Sequence, residues 1–226
     1  MELTPLQQKF IAEYKKTPLN ERFYLTGGTL LAVAYLDHRR SLDLDFFANE
    51  PFTLSNIEHD VKEAVKEAGI DITEFRRVAD RFEWQIKDTD TQEDTKVEFV
   101  FYDFKPINPH VAWNGILVDD LEDIAANKVF ALLERHEPKD IYDLYFIIKK
   151  TKWGIKKLLQ LEEKKFELPI ALQTFFAQAE IALKRLDAIR GLLLLADQQK
   201  QDELFETIHD YFDHKAWKLF KQYWFE

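Results

Sequence analysis

The sequence predicts an α+β chain: a mixed sheet with flanking helices, followed by an all-α C-terminal half. Three observations lead to this. Two-residue alternation, as in "SLDLDFF" at 41–47 and "TKVEFVFYD" at 95–103, is confined to the residues before 119. The apolar spacing beyond 119 has helical period. With 46% hydrophobic and 14% aromatic residues, 226 positions suffice to bury a real core.

Residues 4–16 open the chain as a helix with Leu6, Phe10, Ile11 and Tyr14 on one face, Thr4 as its cap and Pro5 in its first turn. "RFYLT" at 22–26 reads as a short strand, Gly27 and Gly28 as a turn, "TLLAVAYL" at 29–36 as a buried helix and "SLDLDFF" as a second strand. Residues 53–69 make an amphipathic helix stopped by Gly69. Strands follow at 71–78, 81–87 and 95–103, giving a sheet of about five strands, and "KPINPHVAWNG" is a loop. Helices are expected at 119–135, 139–150, 153–165, 169–195 and 201–224. The chain thus divides into an α/β half, 1–118, and a helical half, 119–226, with no flexible linker, internal repeat or low-complexity tract.

The formal charge of −10 argues against a general nucleic-acid coat. Residues 128–165 run the other way, with ten Lys or Arg against six Asp or Glu, a net of +4. That stretch is either a solvated helical face or a shelf for a polyanion. The chain has no cysteine, which excludes disulfides, thiolate metal sites and Cys-His catalysis. No run reaches the length of a membrane span and "MELTPLQQKFIAEYKK" lacks a leader's basic start and apolar core, so a cytoplasmic location without membrane contact is expected.

Asp43 and Asp45 raise the chemical question. In a strand they share one face, with Cα atoms roughly 6.5–7 Å apart, while Leu42, Leu44 and Phe46 take the other. Two buried carboxylates need a compensating charge, and a hard divalent cation is the natural one. Glu98, an acid in an otherwise apolar strand, would complete a three-carboxylate site if that strand lay beside 42–47. An exposed strand face is the plainer alternative for the two aspartates. Gly27 and Gly28, between a strand and a helix, permit close backbone approach and present free N–H groups to an anion such as a triphosphate.

Together "LTGGTLLAVAYLDHRRSLDLDFF", Glu98 in "KVEFVFY", Lys128 in "DIAANKVFALLER" and "KDIYDLY" at 139–145 resemble the AbiEii/AbiGii branch of the nucleotidyltransferase fold. These are toxins of abortive infection and type IV toxin–antitoxin systems, related to the MenT toxins. The matching residues are Gly27, Gly28, Arg39 or Arg40, Ser41, Asp43, Asp45, Glu98, Lys128, Lys139, Asp140 and Asp143, within about residues 20–150.

The resemblance implies a polymerase β-like sheet and Mg²⁺-dependent transfer of an NMP from an NTP to an acceptor, an EC 2.7.7-type reaction. It implies two metal ions, Mg²⁺ with Mn²⁺ as the substitute, on Asp43, Asp45 and Glu98. Gly27, Gly28 and Ser41 would bind the phosphates, Lys128 would contact the triphosphate, and Asp140 would join the active site, which the helical half completes. The implied acceptor is an RNA end, tRNA foremost, and the implied partner a cognate antitoxin. The same fold modifying a protein hydroxyl or an antibiotic, or a nucleotide-binding module without transfer, are the other readings. Arg39 and Arg40 either orient the Asp-bearing turn or approach the acceptor, or form a surface pair. His38 and His136, without partners at metal-ligand spacing, read as ordinary polar residues. The aromatic tail from Phe205 through Tyr211, Phe212, Trp217, Phe220, Tyr223, Trp224 and Phe225 is core or a docking face.

Overall fold

A computed structural model describes residues 2–224, of which the side chains at 219, 220 and 222–224 are left undescribed. The chain forms two compact units, residues 1–37 with 41–124, and 38–40 with 125–226.

The first unit is built on a seven-stranded mixed sheet. Its strands are β1 (Tyr24–Thr26), β2 (Leu44–Ala48), β3 (Ile70–Val78), β4 (Arg81–Asp88), β5 (Asp94–Phe101), β6 (Val111–Trp113) and β7 (Ile116–Val118), in the order β3-β4-β5-β2-β1-β7-β6. β2 runs parallel to β5 and antiparallel to β1. The expected five strands are therefore joined by two more. The segment read as a loop contains a hairpin, β6 against β7, turned by Asn114 and Gly115, both with positive φ.

Period-two alternation decides which face is core. Leu44, Phe46 and Ala48 of β2 are buried while Asp45 and Phe47 are half-exposed. Phe46 stacks on Phe99 at 5.2 Å, and Trp84 meets Phe99 edge-on at 5.8 Å. Helix α1 (Pro5–Tyr14) lays Tyr14 on Phe46 at 4.3 Å, and α3 (Leu54–Glu67) buries Ile57, Val61, Ala64 and Val65. Ile57, Val61 and Val65 each contribute ~1.5–3 kcal/mol by leaving water. Thr4 caps α1 as expected, in a reciprocal box with Gln7. The predicted 29–36 helix begins as α2 (Gly27–Leu30) and ends in a π-helical turn, Leu31–Leu36.

Helix α4 (Leu121–Arg135) belongs to the first unit through Ile124 and to the second from Ala125. The second unit continues with α5 (Pro138–Thr151), α6 (Ile155–Phe166), α7 (Leu172–Leu183) and α8 (Gln198–Trp224). The single helix expected over 169–195 is broken: α7 stops at Leu183 and a 3₁₀ segment, Leu186–Leu192, follows. Tertiary pairing accounts for the end of that segment. Leu193 is extended and bridges Arg39, and the Arg40 N–H donates to the Leu192 carbonyl at 2.7 Å. In the tail, Phe205, Ile208 and Phe212 are core and Trp217 is exposed; Phe225 lies outside the described residues, as do the side chains of Phe220, Tyr223 and Trp224. Among the described residues no helix is long and apolar enough to cross a membrane.

Candidate active site

The register of the first unit brings two of the predicted acids, Asp45 and Glu98, to one sheet face, and Lys96 links Asp43 to Glu98. Asp45 pairs with Glu98 across the parallel β2–β5 ladder, and Thr26 and Glu83 flank them on β1 and β4. Residues opposite one another in a ladder share a face, so Thr26, Asp45, Glu98 and Glu83 form a row on the side away from Phe46 and Phe99. Asp43 precedes β2, with 43% of its side chain exposed, whereas Glu98 is buried at 4%. The chain around Asp43 is pinned through its backbone: the Thr29 hydroxyl donates to the Asp43 carbonyl and the Thr95 hydroxyl to that of Leu42. Gln7 Nε2 adds hydrogen bonds to the carbonyls of Ser41 (3.3 Å) and Leu42 (3.0 Å).

A cation already sits among these acids. Lys96 Nζ donates to Glu98 and lies 3.6 Å from Asp43 Oδ2, while Arg81 Nη1 lies 3.3 Å from the other oxygen of Glu98. Burial opposes the charge on Lys96, but the hydrogen bond from its ammonium to Glu98 and the charges of Asp43, Glu98 and Asp45 outweigh it, raising its pKa above 10.5. The donor set is all oxygen and anionic, and an ammonium occupies the place between two carboxylates. A hard divalent ion fits such a set.

Gly27 borders this face with φ +76°. A Cβ there would overlap the Asp45 carboxylate, so glycine is what allows that carboxylate to lie against the backbone. Gly28 and Ser41 are half-buried in the same unit.

The remaining predicted residues form a separate network inside the second unit. Asp143 accepts from Arg39 through Nε (2.6 Å) and Nη2 (2.8 Å), lies 2.7 Å from Lys128 Nζ, and meets His38 Nε2 at 2.7 Å. Lys128 also donates to Asp140 at 3.0 Å, and Arg135 forks onto Asp140 at 2.9 and 3.0 Å. Both aspartates are wholly buried, and Lys128 and Arg39 nearly so. Burial alone would raise the Asp143 pKa, but the charges of Arg39 and Lys128 hold it well below the carboxylate range; Asp140 is lowered by Lys128 and Arg135 against the same burial. Burial lowers the pKa of His38 below 6.5.

Several readings change with these positions. His38 is not an ordinary polar residue but a buried partner of Asp143, and Arg39 is neither surface nor free to approach an acceptor. Sequence reasoning passed over Lys96 and Arg81. Lys96, two residues before Glu98 and therefore on its face, carried the available signal; Arg81 depends on β4–β5 register. Among the described residues, His59, Asp60 and Glu63 also place ligand atoms within 4.8 Å of one another, on the solvent face of α3.

The family described as "Nucleotidyl transferase AbiEii toxin, Type IV TA system" matches residues 9–222. The uncharacterized protein aq_aa25 of Aquifex aeolicus is 34% identical over 150 residues, 64% of this chain and 66% of that protein, so the match spans just under two thirds of its length. The crystal structure of JHP933 from Helicobacter pylori aligns with TM-score 0.54 and 20% identity over 96% of this chain and 94% of that one, a likeness of fold. The Megavirus polyadenylate synthase aligns with TM-score 0.42 and 14% identity over 65% of this chain and 32% of that one.

Proposed function

The chain belongs to the AbiEii nucleotidyl transferase toxin family, and from that premise we propose that it transfers an NMP from an NTP to an acceptor, using the acid face of its first unit. The observation that supports this most is the Asp45–Glu98 register, with Lys96 joining Asp43 to Glu98 beside it.

In this reading Asp43, Asp45 and Glu98 hold Mg²⁺, which when bound neutralises triphosphate oxygens and favours ionisation of the acceptor hydroxyl. With a divalent ion held there, Lys96 would no longer be needed between Asp43 and Glu98 and would turn to solvent. The backbone N–H groups at Gly27 and Gly28 and the Ser41 hydroxyl bind the phosphates. The acceptor oxygen bonds to the α-phosphorus as the bond to pyrophosphate breaks, and the acceptor proton leaves to a carboxylate or to water. By resemblance, we also propose that Lys128 contacts the triphosphate and that Asp140 takes part in the active site.

We propose an RNA end, tRNA foremost, as the acceptor and a cognate antitoxin as the partner of this cytoplasmic toxin. Exposed Lys149, Lys150, Lys152 and Lys156 supply a surface for a polyanion. The net charge of −10 favours the second reading, a protein hydroxyl or small molecule as acceptor. Incubation with each α-³²P-labelled NTP, Mg²⁺ and total tRNA, resolved on a denaturing gel, separates them. Labelled tRNA supports the first; NTP consumed without labelled RNA supports the second; NTP bound without pyrophosphate release would leave only a binding module.

A further inference from the structure

We infer that β3 is a self-complementary edge that pairs antiparallel with β3 of a second copy, about a two-fold axis at Phe75. The two ends of the sheet differ. β6 closes one edge with three residues, while β3 leaves nine residues at the other, paired on one side by β4. Strand edges of that length are templates for another chain unless something blunts them.

The side chains of β3 are ordered for its own copy. Phe75 lies 5.0 Å from Trp84 and extends the apolar face to the rim, where it is 42% exposed. On the opposite face Glu74 and Arg76 flank it, joined at 2.7 Å and both exposed. With the axis at Phe75, Phe75 meets Phe75 of the second copy and each Glu74 faces the other's Arg76. Shifting the axis to Glu74 opposes two glutamates, and shifting it to Arg76 opposes two arginines. An axis between residues sets the apolar face of one copy level with the acid face of the other. Charges that repel a foreign strand thus match this one, and the resulting interface is isologous. The bulge between Ile72 and Glu74 leaves three regular pairs about this axis, Phe75 with Phe75 and each Glu74 with the other copy's Arg76.

Sedimentation equilibrium of the full chain, with charge swaps, tests this. The wild type is expected at twice the 26.9 kDa chain mass. Glu74→Arg and Arg76→Glu should each give monomer by placing like charges opposite one another, and the double swap should restore the dimer. Recovery in the double variant also shows that the single variants did not fail by misfolding. A monomeric wild type at about 100 µM, where complexes with Kd near 1 µM are formed, or single variants that remain dimers, would overturn the inference.

Discussion

The acid face of the first unit and the ion network of the second use the same residue types to opposite ends. Asp43 keeps 43% of its side chain in solvent, and its cationic neighbour Lys96 is a flexible side chain, 31% exposed, that can leave. Asp140 and Asp143 keep none, and Arg39, Lys128 and Arg135 hold them in five hydrogen bonds and a further ion pair. Under the proposed function a carboxylate such as Asp43, which would exchange an ammonium for a metal, has to stay reachable; one whose countercharges are built in stays ionised. Burial and partner identity, rather than the presence of aspartate, separate the two.

The contrast can be broken most forcefully from the buried side. Asp143→Ala leaves Arg39 and Lys128 facing a hole, and breaking such a pair costs about 3–5 kcal/mol. Thermal denaturation should show that loss in full. Next comes the open side: Asp45→Asn should lower transfer by ~10²-fold or more, since even outer-shell changes at metal sites cost 10–100-fold, with Tm moved little. Lys128→Ala sharpens the comparison by combining the two, with both transfer and Tm expected to fall.

A smaller effect concerns pH. His38 has a lowered folded pKa, so it contributes stability that is present above about 6.5 and lost as pH falls through its folded value; depressed Asp140 and Asp143 add a second loss below about 4. Glu162 runs the other way. Burial first, then the charge of Glu163, pushes it up to about 7, so its stability is present below 4.5 and lost as pH rises through 7. Glu162→Gln should therefore raise Tm at pH 8 by an amount equivalent to ~1–3 kcal/mol, the cost of an unsatisfied buried polar group, and change little at pH 5. A Tm difference independent of pH would refute that assignment. Smallest of all, converting Lys149, Lys150 and Lys152 to Glu should weaken tRNA labelling and flatten its salt dependence, while leaving NTP binding in the absence of tRNA unchanged.

What the sequence disclosed follows the same divide. The acid face was legible because strand alternation is a local rule: "SLDLDFF" puts Asp43 and Asp45 on one side, and "KVEFVFY" puts Glu98 among apolar neighbours. The β6–β7 hairpin was missed although Asn114-Gly115 between apolar runs is a hairpin signal, because two prolines upstream made the segment read as a loop. The break after Leu183 was not, because no glycine or proline marks it and pairing at Leu193 involves a residue more than 150 positions away. Nor was the Asp143 network, whose members come from residues 38–39, α4 and α5 and meet only through tertiary packing.

The most direct test of the central claim measures two quantities on one protein: labelled NMP transfer from α-³²P NTP in Mg²⁺, and Tm, for the wild type and Asp45→Asn. Transfer lost with Tm moved little is the predicted result, because this half-exposed carboxylate is proposed to serve chemistry. Transfer retained at the wild-type rate would contradict the assignment of this face as the metal site.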